Sequence, residues 1–269
     1  MSATRSKRLP LRLGVKRRLS RRNDPREREA RAAFEKTRLG IIDEDNSTCR
    51  GCGFASQRMD GDGAPAGGME VHHLDDDHHN NKPSNLITLC PFCHMVFTLG
   101  RRGARFDATL GYEPRMSQAE INLLHHTVWG LSRALEIAHQ DSSPPRGWEP
   151  AAVKGPMASA LEQAAEALRQ FREDAERRLR TQRARDLPGI ETPGALYAAL
   201  QNLPPEVYEQ RDHALEGIRL LPRYAPFEGH IDRWARHIWA RHYPPAQWGA
   251  IVESVQHHRR AASAAEESA

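Results

Sequence analysis

The stretch "MEVHHLDDDHHNNKPSNLITLCPFCHMVF", residues 69–97, puts paired histidines, an Asn-Leu step and a CxxCH on one short segment. Its two apolar runs, "MEVHHL" and "NLITL", flank a polar loop, which predicts a hairpin with a long connection followed by a helix from Pro91 to about residue 99. The segment also holds Cys90 and Cys93, and a second CxxC, Cys49 and Cys52, lies upstream; these four are the only cysteines in the chain. A CxxC bends the backbone into a knuckle that offers two thiolates to one ion, and two knuckles complete a closed tetrahedral set. Four soft thiolates favour structural Zn²⁺. With every cysteine so used, none remains for a disulfide framework, which points to a reducing compartment.

Working outward, charge is concentrated at one end. The 269 residues carry 39 Lys or Arg against 35 Asp or Glu, yet residues 1–22 alone hold nine basic residues and no acid. The rest of the chain therefore has 30 basic and 35 acidic residues, an acidic body behind a basic arm. Such a body lacks the broad electropositive face of a dedicated duplex binder, although the arm can sit on phosphates or on acidic protein surfaces. No apolar run is long enough to span a bilayer, and no apolar core follows the basic start as in a signal peptide. The expected location is cytoplasmic.

Periodicity divides the chain into an arm (1–22), a zinc-binding unit (23–140), a linker (141–156), a helical unit (157–260) and a tail (261–269). Leu9, Leu11, Leu13 and Val15 alternate as in a half-buried strand. "NDPREREARAAFEKTRLG" reads as a helix capped by Asn23 or Asp24 and closed by Gly40. "SQRMDGDGAPAGG", residues 56–68, is a Gly-rich loop. "SQAEINLLHHTVWGLSRALEIAHQ" is the clearest helix, with Ser117 and Glu120 as its capping box and Ile121, Leu124, Val128, Leu131 and Leu135 as one apolar stripe. His125 and His126 beside that stripe read as flanking or satisfied core residues. A Pro-rich break at Pro144, Pro145 and Pro150 marks the linker. Beyond it Leu161, Ala164, Leu168, Phe171, Ala175 and Leu179 step by three and four as a packing face. Shorter helices are expected after Thr192-Pro193, Pro204-Pro205 and Pro244-Pro245, with Trp234, Ile238, Trp239 and Trp248 as core. The fold class is thus α+β, a ββα zinc domain followed by an all-α domain.

On a hairpin and helix, His72 and His94 could hold one divalent ion, with His73 as general base toward a scissile phosphate and Asn85 fixing the loop that orients it. Residues 49–98 resemble the HNH, or ββα-metal, nuclease fold. That resemblance makes the first paired histidine and the CxxCH histidine metal ligands and the second paired histidine the base. The family often places a further ligand one helical turn later, where this chain has Thr98, and a hydroxyl replaces an imidazole poorly.

A longer resemblance covers about residues 9–248. The start "LPLRLGV", then "DEDNSTCRGCGF", "EVHHLDDDHHNNKPSNLITLCPFCH", "MSQAEINLL" and "LPPEVYEQRDHALEGIRLLP" look in this order like the IcmJ/DotN family of Dot/Icm (type IVB) secretion and related conjugation systems. The resemblance implies a cytoplasmic zinc protein held to the coupling ATPase at the inner membrane, its HNH-like scaffold used for assembly instead of cleavage. The leading expectation is a non-catalytic subunit of the coupling complex, with Zn²⁺ on Cys49, Cys52, Cys90 and Cys93 and with secretion or conjugation subunits as partners. The second is an HNH endonuclease with a second divalent ion, using His72, His73, Asn85 and His94. A third is a zinc-dependent DNA-binding regulator working through the basic arm.

Overall fold

The computed structural model describes residues 8–16, 25–56, 68–99, 107–140, 155–183, 188–239 and 253. The Gly-rich residues 57–67, the Pro-rich residues 141–154, the Pro244-Pro245 helix with Trp248, and the tail lie outside the described residues.

Helix α1 (Pro25–Glu44) leads to a hairpin of β1 (Glu70–His73) and β2 (Leu86–Leu89), with Glu70 opposite Leu89 and His73 opposite Leu86. Helix α2 (Pro91–Phe97) follows at once, because Cys90 sits extended at its N-cap and Pro91 supplies a preset first turn. Strand β3 (Ala108–Tyr112) comes next, then the long helices α3 (Gln118–Gln140) and α4 (Pro156–Arg178). Ser117 and Glu120 close the capping box of α3, the Ser117 amide donating to Glu120 Oε2 at 2.7 Å and the Glu120 amide to Ser117 Oγ at 3.2 Å. Three short helices follow: α5 (Pro193–Gln201), α6 (Pro205–Glu209) and α7 (Arg211–Ala214). Thr192 caps α5 by accepting from the Ala195 amide at 3.2 Å. Strand β4 (Ile218–Pro222) and helix α8 (Glu228–Trp234) complete the order.

The periodic stripes are the packing faces. Ile121, Val128, Leu131 and Leu135 on α3 are buried, as are Leu161, Ala164, Leu168, Phe171, Ala175 and Leu179 along the second long helix and its continuation. One apolar cluster joins α3 to α4 through Ile121, Val128, Ala164, Leu168 and Phe171. A larger one gathers Leu13, Ile41, Leu89, Phe92, Leu131, Leu220 and Trp234. Gly111 of β3 lets the sheet lie directly on α4, since a Cβ there would come within 2.9 Å of Ala175 Cβ.

Four expectations need correction. Residues 157–260 are not all-α: β4 pairs antiparallel with β3, Ala108 opposite Pro222 and Tyr112 opposite Ile218. Both apolar clusters take residues from before and after the Pro-rich stretch, so the body is packed across it. The alternating start is extended and turns Leu13 and Val15 inward, but its ladder is a single bridge from Val15 to Leu99. Its other groups are met by scattered partners, among them Tyr208, whose hydroxyl accepts from the Val15 amide at 2.9 Å, and Arg211, whose Nε donates to the Leu13 carbonyl at 2.7 Å. Finally, α1 runs past Gly40 to bury Ile41 and Ile42, and the chain turns at Asn46 and Ser47, where φ is 52° and 50°.

Candidate metal centre

The first knuckle is shaped by its backbone. The Cys49 amide donates to the Phe54 carbonyl at 2.8 Å, the Gly53 amide donates back to the Cys49 carbonyl at 2.9 Å, and Gly53 takes a φ of 83° that favours glycine. The second knuckle is the start of α2, where the His94 amide donates to the Cys90 carbonyl at 2.9 Å. Asp45 joins the two: its buried carboxylate accepts from the Thr88 amide on β2 at 2.9 Å and from Arg50 Nη1 at 3.1 Å.

All four cysteines are buried, and their sulfurs lie within 4.8 Å of one another. Cys52 and Cys90 Sγ are 3.8 Å apart. A tetrahedral ion with sulfurs at about 2.3 Å separates them by about 3.8 Å, whereas a disulfide needs about 2.05 Å. The cluster therefore has metal-site spacing and its cysteines are free. Burial pushes the Cys90 and Cys93 thiols up, reinforced by hydrogen bonds with Cys49 and Cys52. Cys49 is carried down, its burial outweighed by hydrogen bonds from the other three. Ionising the raised Cys90 and Cys93 thiols beside Cys49 in this buried site calls for a cation. Among the described residues this is the one group of three or more His, Cys, Asp or Glu side chains that could hold a metal ion.

His72, His73 and His94 line a cleft of about 310 Å³ with Lys16, Phe34, Arg38, Glu70 and His78. His72 stacks on Phe97 with centroids 4.7 Å apart and meets the His94 ring edge-on at 5.4 Å. His94 Nδ1 pairs with the Glu70 carboxylate. Burial, followed by electrostatic interaction with His94 and Lys16, lowers His72 to about 3. His73 Nε2 donates to Asn81 Oδ1 at 2.9 Å, and Asn81 Nδ2 donates to the Ala30 carbonyl at 3.0 Å, which ties the ring to α1. Asn85 holds the acidic loop: its Oδ1 accepts from the Asp75 amide at 3.1 Å, and its Nδ2 donates to Asp75 Oδ1 and to the Asn80 carbonyl, both at 2.8 Å. Thr98 turns its hydroxyl onto the His94 carbonyl at 3.1 Å.

Two groups escaped the sequence reading. Asn122 Nδ2 lies 3.3 Å from Cys93 Sγ, and His126 Nε2 lies 3.2 Å from Cys90 Sγ. A signal was present, since Gln118, Asn122 and His126 recur every four residues as a polar line beside the apolar stripe. Nothing in that line names its partner.

Fold and site define the protein as an α+β chain with a closed, buried tetracysteine centre capable of holding a metal ion. No protein-family model matches the chain. Over 98 residues it is 33% identical to the type 4 apparatus protein DotN of Legionella pneumophila subsp. pneumophila, and it is homologous to that protein there. The match takes in 36% of this chain and 42% of DotN. No described helix is long and apolar enough to cross a membrane.

Proposed function

We propose that this chain is a zinc-binding, non-catalytic subunit of a type IV secretion or conjugation apparatus, docked on the coupling ATPase at the cytoplasmic face of the inner membrane. The observation that carries this reading is the relationship to DotN, whose name places that protein in a type 4 apparatus. The tetracysteine centre supports the cofactor: four buried sulfurs with tetrahedral spacing suit Zn²⁺ and leave no open position for a substrate. Such a site contributes folding free energy, so it shapes a docking surface without reacting. The order of hairpin and CxxCH helix supports an HNH-like scaffold, and Thr98, bonded to its own helix, offers no ligand one turn after His94, where the nuclease family often has one. The basic arm supplies a further contact with protein or nucleic acid.

The test is co-purification from cells together with cargo transfer at matched protein abundance. Cys52→Ser is expected to abolish both, and His73→Gln to leave both nearly intact. Retained assembly with lost transfer in His73→Gln would overturn the reading.

A second reading, an HNH endonuclease, is favoured by the cleft that collects three histidines, Lys16 and Arg38 around His73. Supercoiled plasmid incubated with Mg²⁺, Mn²⁺ or Ni²⁺ decides it. No nicking is expected, and nicking that disappears in His73→Gln would establish the nuclease.

A further inference from the structure

We propose that Asn122 and His126 are the outer shell of the metal centre, two positioning residues whose N–H groups donate to the Cys93 and Cys90 thiolates and keep the site tightly held and unreactive. The inference rests on the reading of the four cysteines as metal ligands. Both residues project from the same face of α3, four apart, over the second knuckle.

The direction of the Asn122 amide is fixed from its far end. The Leu220 amide donates to Gln118 Oε1 at 2.8 Å, which identifies the other terminus of Gln118 as its NH₂ group. That Nε2 donates to the Leu220 carbonyl at 2.7 Å and to Asn122 Oδ1 at 2.9 Å. Asn122 must then present its own NH₂ group to Cys93. A hydrogen-bonded chain therefore runs from the backbone of β4 to a metal-ligating sulfur, and all its members are buried.

His126 is fixed by its surroundings. Its ring stacks on Phe54 at 4.2 Å and packs against Phe92 at 4.2 Å and Trp234 at 4.6 Å, and its Nδ1 has no hydrogen-bond partner. A metal-bound thiolate can only accept, so the proton belongs on Nε2, facing Cys90. The apolar rings on the other side leave Nδ1 nothing to donate to.

A dication with four thiolates carries two net negative charges in a site closed to water. Donors aimed at the sulfurs withdraw part of that charge, which strengthens retention of the ion and makes the sulfurs poorer nucleophiles. His126→Phe keeps the ring packing and removes the donor; Asn122→Leu keeps the volume and removes the amide. In the full chain reconstituted with Co²⁺, the sulfur-to-metal charge-transfer band is expected to move to lower energy in each variant. Zn²⁺ affinity by chelator competition should fall about 10–100-fold, and iodoacetamide should alkylate the metal-loaded protein faster.

The wild type supplies an independent measurement should a variant fail to fold. ¹⁵N shifts of the loaded protein are expected to show His126 protonated on Nε2, and an unprotonated Nε2 would overturn the proposal. A wild-type protein that binds no metal would remove the metal reading and this one together. A metal-loaded wild type whose variants match it in band position, affinity and alkylation rate would overturn the outer shell alone.

Discussion

Glu113 and Arg178 form an ion pair at 2.8 Å with only 1% and 5% of their side chains exposed. The pair joins the end of β3 to α4, and its spare hydrogen bonds are used: Glu113 Oε1 accepts from the Arg115 amide at 3.1 Å and Arg178 Nε donates to the Tyr112 carbonyl at 3.2 Å. Removing one partner leaves the other charge buried, so Glu113→Gln should cost about 3–5 kcal/mol in urea unfolding. The double replacement Glu113→Gln with Arg178→Met should cost less than the single one. A single-variant loss below about 1 kcal/mol would contradict the burial of the pair.

Metal loading should release protons. Burial pushes the Cys90 and Cys93 thiols up, so these cysteines favour the protonated form in the folded chain and must ionise to hold a metal ion. Affinity for Zn²⁺ therefore falls as pH falls. Titration calorimetry in buffers of different ionisation enthalpy is expected to count the released protons, and elemental analysis to give about one Zn²⁺ per chain. Heat that does not depend on the buffer would contradict this.

His72 should make the fold acid-sensitive. Its folded value is about 3 against an ordinary 6.5, chiefly because it is buried. Between those values the unfolded chain binds a proton that the native chain does not, so stability is full above 6.5 and declines as pH falls toward 3. His72→Phe keeps the stack on Phe97 and removes the titration. The drop in urea midpoint from pH 6.5 to about pH 4.5 should be smaller in this variant than in the wild type; an equal drop would place the sensitivity elsewhere.

Features set by local chemistry were legible from the residues. The double knuckle, the hairpin with its helix, the Ser117–Glu120 box and the stripes on the two long helices follow from spacings of two to four residues. The second sheet was not legible. Each of its strands has five residues, and neither finds its partner until the chain has travelled from Tyr112 to Ile218. Gly40 misled because the burial of Ile41 and Ile42 outweighs a helix-stop preference. In the site, His126 was read as flank or satisfied core; the structure adds that what satisfies it is Cys90, a pairing that needs α3 laid over the second knuckle.

The pairing of β3 with β4 also orders events during synthesis. All four cysteines of the candidate metal centre have been made by residue 93, so an ion can be captured there early. Strand β3 then emerges with no partner and waits roughly a hundred residues for β4, about 5–20 s at a translation rate of about 5–20 residues per second. Its edge stays open through that interval, as does the face of α3 that Trp234 later covers. Ion capture at the cysteines is open to the nascent chain early, whereas the second sheet and the cover over α3 close only after β4 and then α8 have emerged.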